Sequence, residues 1–354
     1  MTSSRRRGAA YGLTAAALFG VSPPLAKLLL PEAGPILMAG LLYLGAGLGL
    51  LVFEALFYHG SEASRREAQV GPSDRWLLVA IVLAGGVLGP VFMLWGLQHV
   101  SAVLASLLLN LEAPLTIGLA VVLFREHLAR QEVAGTILIL GGAVVLSYHP
   151  AALFTDLWGF LAIGGACLCW ALDNNLTQRL SLRDPVVVTR IKTLSAGACS
   201  LALAAATGQS MPGLWVFGCT LALGLISYGL SLVLDTYALR LLGAAREAGF
   251  FATAPFIGAV AAVPILREQW DGRDFLAAGL MAAGVVLLLR AHHAHEHTHE
   301  ELEHDHAHRH RDHHEHEHGE TQAVDEPHAH RHRHVALTHD HAHVSELHHR
   351  HDHR

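Results

Sequence analysis

Charge is scarce along most of this chain, and cysteine is scarcer. Asp, Glu, Lys and Arg make up 15% of its 354 residues and aromatics 7%, against 52% hydrophobic residues. The four cysteines (Cys167, Cys169, Cys199, Cys219) all fall inside apolar runs, which excludes a disulfide framework. Cys167 and Cys169 point to different sides of one helix and read as packing residues. Also missing is the alternation of polar and apolar faces, with period 3.6, that a soluble helical domain carries. No nucleophile stands with a base, so nothing marks an enzyme, and no nucleic-acid partner is expected.

Charge is unevenly spread and densest at one end. Residues 291–354 hold 24 of the 28 histidines and 14 of the 30 acids. Residues 1–290 are therefore more apolar than the average. Apolar windows of spanning length, about 20 residues, recur at roughly 9–30, 35–58, 76–98, 100–124, 132–148, 157–178, 186–207, 213–239, 243–266 and 274–290. Ten membrane helices are predicted. With the N-terminus inside, inner loops and helix ends collect Arg5, Arg6, Arg7, Arg65, Arg66, Arg75, Arg125, Arg130, Arg179, Arg183, Arg190, Lys192, Arg240, Arg246 and Arg290, while outer loops keep Arg267 and Arg273. The positive-inside rule then places both termini in the cytoplasm, in the cell (inner) membrane. An N-terminal signal peptide is disfavoured, because the first run is of spanning length and nine more follow.

Two stretches repeat. Leu111-Glu-Ala-Pro-Leu115 is followed by Arg125-Glu126, and Ala252-Thr-Ala-Pro-Phe256 by Arg267-Glu268. Gly142 and Gly284 each stand 16 residues beyond the Glu of its pair. Five spans separate the copies, and an odd unit sets the second copy upside down in the bilayer, the build of secondary transporters. The halves are residues 1–149 and 157–290. Aligning Phe19 with Trp170 sets Ser22 against Asp173, Pro23 and Pro24 against Asn174 and Asn175, and Lys27 against Gln178.

The run Ser106-Leu-Leu-Leu-Asn-Leu-Glu-Ala-Pro-Leu-Thr116, then Phe124-Arg-Glu126 and a Gly-rich helix, resembles the EamA-type branch of the drug/metabolite transporter superfamily. So does Leu168-Cys-Trp-Ala-Leu-Asp-Asn-Asn-Leu-Thr177. The likeness covers about residues 8–290. It implies an all-α integral membrane fold of ten helices in two inverted five-helix repeats, and transport of small organic solutes, often export. The second half departs from the first, with Thr253 where Glu112 stands and Phe251 where Asn110 stands. The histidine tail is no part of the pattern.

Candidate pathway residues are those the bilayer would otherwise forbid. An ionisable group at mid-membrane costs about 2.5–3.5 kcal/mol on insertion scales and is functional by default. Glu112, mid-way along the fourth helix, must face a partner or a cavity or be protonated, which makes it a candidate proton carrier; the alternative is a neutral Glu bonded to a neighbouring helix. Pro114 leaves the carbonyl of Asn110 without its donor, and Pro255 does the same to Phe251. In the sixth helix Asp173 and Thr177 share a stripe beside Asn174, Asn175 and Gln178, either lining a cavity or holding helices together. Asp173 is expected to pair with Lys192 or Arg190. Pro23 and Pro24 break the first helix, and Lys27 beyond them either snorkels outward or attracts an anionic solute. Glu126 and Glu268 read as cap or loop contacts.

From Ala291 on, composition predicts a disordered cytoplasmic tail. His-x-His units at His293, His295, His297 and His299, at His304, His306, His308 and His310, at His328, His330, His332 and His334, and at His339, His341 and His343 suit Zn²⁺, Ni²⁺ or Co²⁺. No cofactor is required; a divalent transition metal on the tail is the open possibility, and a pH-responsive tail is the other. With 6 Arg against 14 acids the tail carries −8 with His neutral and +16 with all 24 protonated. Two functions follow: a proton-linked secondary transporter exporting a small metabolite, or a transition-metal transporter whose tail collects ions. Against the second, no intramembrane His or Cys pair sits at ligand spacing.

Overall fold

Away from water a backbone N–H or C=O has no solvent partner, and a helix pairs them within one segment. The computed structural model describes residues 3–58, 70–124, 130–147, 155–177, 180, 183–242, 249–290, 293–299, 302–308, 328–334 and 337–343. It holds ten apolar helices long enough to cross a membrane: α1 (Arg6–Leu29), α2 (Pro35–Tyr58), α3 (Pro72–Leu97), α4 (Ala102–Leu119), α5 (Arg130–Ser147), α6 (Leu157–Thr177), α7 (Pro185–Ala206), α8 (Leu214–Ala238), α9 (Gly249–Leu266) and α10 (Gly272–Arg290). These are the ten windows expected from the sequence, with several ends differing by a few residues. Pro35, Pro72 and Pro185 open their helices, where a missing N–H does no harm. Asp184 caps α7 by accepting from the N–H groups of Val186 (3.0 Å) and Val187 (3.3 Å).

The principal contacts run between the two sequence halves. Helix α2 packs on α7 and α8, α5 on α10, α1 on α8 and α9, α3 on α6 and α7, and α4 on α6 and α9. Moving every helix number by five returns the same set of pairs. Contacts of Leu37 with Gln209, Val100 with Gly159 and Ala102 with Glu268 gather the starts of α2, α4 and α6 at the end that holds Lys27. Contacts of Arg183 with Asp74 and Asp184 with Tyr58 gather the end of α2 and the starts of α3 and α7 at the other. Trp76, Trp158 and Trp215 stand exposed near helix ends, as residues at a membrane–water interface do.

Small residues set the closest crossings. A Cβ on Gly135 would stand 2.8 Å from the Gly284 carbonyl oxygen, and one on Gly284 2.7 Å from that of Gly135, so α5 and α10 touch backbone to backbone. Gly45 and Gly224 bring α2 and α8 together in the same way, each with a Cβ position 2.8 Å from a Cα of the facing helix.

Several helices are irregular in mid-span. Helix α1 breaks at Val21 and restarts at Ser22 with Pro23 and Pro24 in its first turn, where the paired prolines predict a break. Helix α3 widens to π turns over Val82–Leu88 and α8 over Leu225–Leu230, while α4 tightens to a 3₁₀ turn at Leu109–Leu111. Such departures free backbone groups that a regular helix keeps for itself.

The tail departs from expectation. Composition predicts disorder across 291–354, but four segments pair as antiparallel ladders: β1 (His293–His299) with β4 (Leu337–His343), and β2 (Leu302–His308) with β3 (His328–His334). The His-x-His alternation is itself the two-residue period of a strand, a signal that bulk composition averages away.

Gly284→Ala is expected to lower the melting temperature in detergent by forcing α5 and α10 apart, at about 1–3 kcal/mol for an overpacked contact. Gly279→Ala, on the same helix with open space where its Cβ would go, should melt like the parent; thermal unfolding of the three proteins decides it.

Candidate functional site

Four polar side chains meet where α4, α6 and α7 come together. Glu112 is the first residue after the 3₁₀ turn of α4, opening the helical piece Glu112–Phe124 that has Pro114 in its first turn. Proline has no N–H to give, so the Asn110 carbonyl loses its usual donor. Asn174 of α6 donates its amide to Glu112 Oε1 at 2.6 Å. Asn174 is exposed and Glu112 half-buried, so this pair borders accessible space. Beside it Lys192 of α7 donates to Asp173, which is 4% exposed and also accepts from the Thr177 hydroxyl at 3.2 Å. The Asp173–Lys192 pair lies within electrostatic reach of Glu112.

Of the two partners expected for Asp173, the structure selects Lys192. Arg190 turns instead to Glu54 of α2, 3.0 Å away but not aligned as a hydrogen bond. Asp173 and Lys192 stand 19 positions apart, and the turn between α6 and α7 brings them level.

Tyr43, Gly85 and Trp170, whose meeting no spacing in the sequence gives, hold the α3 side of the cluster. The Gly85 carbonyl accepts from the Tyr43 hydroxyl at 3.0 Å and from Trp170 Nε1–H at 3.1 Å. One carbonyl is open to two side-chain donors inside the π segment of α3, where the intrahelical bonds are displaced. Asp173 packs where a side chain on Gly85 would stand, with a Cβ there only 2.6 Å from Asp173 Cβ. The adjacent Gly85-Gly86 inside an apolar helix is the signal that could have found this contact. Next to it Phe19 meets Tyr228 (centroids 5.6 Å) and Phe251 (5.3 Å), and Tyr228 meets Tyr43 (5.5 Å).

The remaining expected residues lie apart from the Glu112 cluster. Asn110, 4% exposed, donates to the Leu107 carbonyl at 2.9 Å and to the Met281 sulfur at 3.9 Å, which turns it toward α10. Asn175 donates to the carbonyls of Thr116 (3.1 Å) and Ala171 (2.9 Å), holding α6 against α4. Thr253 donates to the Phe250 carbonyl at 2.6 Å, and Pro255 sits in the first turn of the piece Ala254–Leu266. Lys27 donates to the Val100 carbonyl and pairs with Glu268 at 3.4 Å. Glu268 is a cap, as expected, but for α4 rather than a neighbouring segment: its two oxygens accept from the N–H groups of Ala102 and Val103, each at 2.8 Å. Glu126, Gln178 and His310 lie outside the described residues. Among the described residues, no three His, Cys, Asp or Glu gather as a metal site.

Asp173→Asn would leave Lys192 charged and unpaired in a dry setting, where breaking such a pair costs about 3–5 kcal/mol. The expected outcome is a large loss of stability in detergent. Adding Lys192→Met should recover most of it, and a double-mutant cycle of unfolding midpoints measures the coupling.

Comparison with known proteins fits this arrangement. The model of the EamA-like transporter family matches residues 6–148 and again residues 157–290. A protein of Methanothermobacter thermautotrophicus, described as an uncharacterized transporter, is 29% identical over 289 residues, covering 78% of this chain and 84% of that protein. A solved crystal structure described only as that of a protein superposes with a TM-score of 0.59 at 20% identity, over 79% of this chain and 95% of that one, a likeness of fold alone. With ten helices of spanning length and a family match over each half, this multi-pass membrane protein belongs to the EamA-like transporter family.

Proposed function

We propose that this EamA-family transporter is a proton-coupled secondary carrier that exports a small metabolite, with Glu112 as the proton-carrying group. The observation that carries the reading is the Glu112–Asn174 pair, bonded at 2.6 Å and bordering accessible space. At mid-membrane an exposed Asn174 bonded to an ionisable Glu112 cannot rest against lipid without a large cost. They are best accommodated on a water-filled gap between α4 and α6. The ion pair beside them supplies both signs of charge, and the aromatic cluster of Phe19, Tyr43, Tyr228 and Phe251 supplies an apolar wall. Export is the direction that the sequence resemblance favours.

Alternating access would come from two inverted five-helix repeats, residues 1–149 and 157–290, rocking about this gap. The reading is supported by the helix pairs, which map onto themselves when every number moves by five, and by the double family match. Basic residues at the ends of α2, α6 and α10 favour both termini inside, in the cell (inner) membrane.

The tail would serve as a metal or pH sensor attached to the carrier. Strand register sets His295 opposite His341 and His297 opposite His339, and likewise His304 opposite His332 and His306 opposite His330. Opposed Cα atoms lie about 4.5–5.5 Å apart in such ladders, and imidazole is a ligand type that suits Zn²⁺, Ni²⁺ or Co²⁺.

Glu112→Gln should abolish transport driven by a proton gradient in vesicles while the protein still folds; transport at the parent rate would remove Glu112 from the coupling. Deleting residues 292–354 should leave organic solute transport in place if the tail only regulates. A carrier whose cargo is the metal should instead lose efficiency when metal is scarce.

A further inference from the structure

We propose that Glu268 is a detachable helix cap: its carboxylate latches the two halves together at the Lys27 end of the bundle, and its release opens the pathway to water on that side. This inference rests on the alternating-access reading above.

The start of α4 must find partners for N–H groups that no earlier turn can serve. Ser101 serves one of them, its side chain accepting from Leu104 N–H at 3.0 Å. Those of Ala102 and Val103 are met, among the described residues, by Glu268, one carboxylate oxygen each at 2.8 Å. A capping side chain ordinarily belongs to the residue just before its helix. This one arrives from 165 and 166 positions further on, out of the other half of the chain.

The socket and the plug therefore belong to different halves. Lys27, Val100, Ala102 and Val103 form the socket, with the Lys27 ammonium bonded to the Val100 carbonyl and 3.4 Å from the carboxylate. Glu268 is the plug. It is aimed by Arg267, which leaves α9 in the left-handed conformation at φ 57°. Arg267 is the one non-glycine residue with positive φ among the described residues. Residues with a side chain adopt that conformation reluctantly, and here it turns the next residue back onto α4.

Withdrawing the plug leaves two backbone N–H groups without partners and strips the Lys27 ammonium of its counter-charge. In a dry interior such groups are strongly unfavourable, and water is the remaining partner. The halves can part at this end only as water enters, so the closed state is dry and the open state wet. Helix α4 links this latch to the candidate site, because its 3₁₀ turn at Leu109–Leu111 lies between the capped start and Glu112.

The test uses Ser106, which is fully buried one turn beyond the cap, as Ser106→Cys in a chain whose four native cysteines are replaced. Labelling by a membrane-impermeant maleimide is followed in right-side-out and inside-out vesicles, with no substrate present. Glu268→Gln is expected to speed labelling about five-fold, the weight of one lost helix cap, in one vesicle orientation only. Lys27→Met, which keeps the cap but removes its counter-charge, should give a smaller rise from the same side. Unchanged labelling in Glu268→Gln protein that melts like the parent overturns the latch, and so does a rise from both sides at once. Should Glu268→Gln fail to fold, the absence of any rise in Lys27→Met overturns it. Labelling requires no transport, so a failed latch and a failed proton-carrier reading give different results.

Discussion

Inside this bundle a polar group that lacks a partner costs more than nearby apolar contacts return, because no bulk water is at hand to replace the missing bond. The polar groups accordingly come in sets that join helices. Asp173 holds Lys192 and Thr177, Glu112 holds Asn174, Gly85 takes two side-chain donors, and Glu268 takes two backbone amides. Most of these links cross from one sequence half to the other. The same bonds that make burial tolerable therefore tie the halves together, and any relative motion must exchange them for other partners.

Irregular backbone falls where those sets gather. The π turns of α3 surround Gly85, the 3₁₀ turn of α4 leads into Glu112, and α1 breaks at Val21 just past Phe19 of the aromatic cluster. Each irregularity trades a regular intrahelical bond for a carbonyl or amide that a neighbour can use. In α5 and α10 glycines bring the two helices together backbone to backbone.

Much of this was legible in the chain. Ten apolar runs of spanning length could hardly be anything but ten helices, since hydrocarbon tolerates little else. Pro23-Pro24 predicts the break in α1 from the missing N–H groups, and Glu112 stands out because an acid there must face a partner or a cavity or be protonated. The Asp173–Lys192 pair was one of two options that depth along the helices allows. Gly85 and Trp170 are visible as one of two adjacent glycines and as part of the repeat, but that the Gly85 carbonyl accepts from Tyr43 and Trp170 together leaves no trace in spacing. The side-chain partners of Asn110 are not legible in spacing: its amide bonds back to Leu107 and meets Met281. The pairing of the tail's histidine segments is not legible in composition, which ignores the order in which histidines alternate.

The sequence by itself determined the number of helices, where they begin and end, and which side chains the bilayer would penalise. Those properties depend on local hydrophobicity and on proline's missing donor, which act within a few residues. Tertiary structure alone decided which polar group meets which: that Lys192 rather than Arg190 answers Asp173, and that Glu268 caps a helix in the other half. Such choices depend on helix rotation and close glycine contacts between segments far apart in the chain, and a difference of one helical face changes the partner.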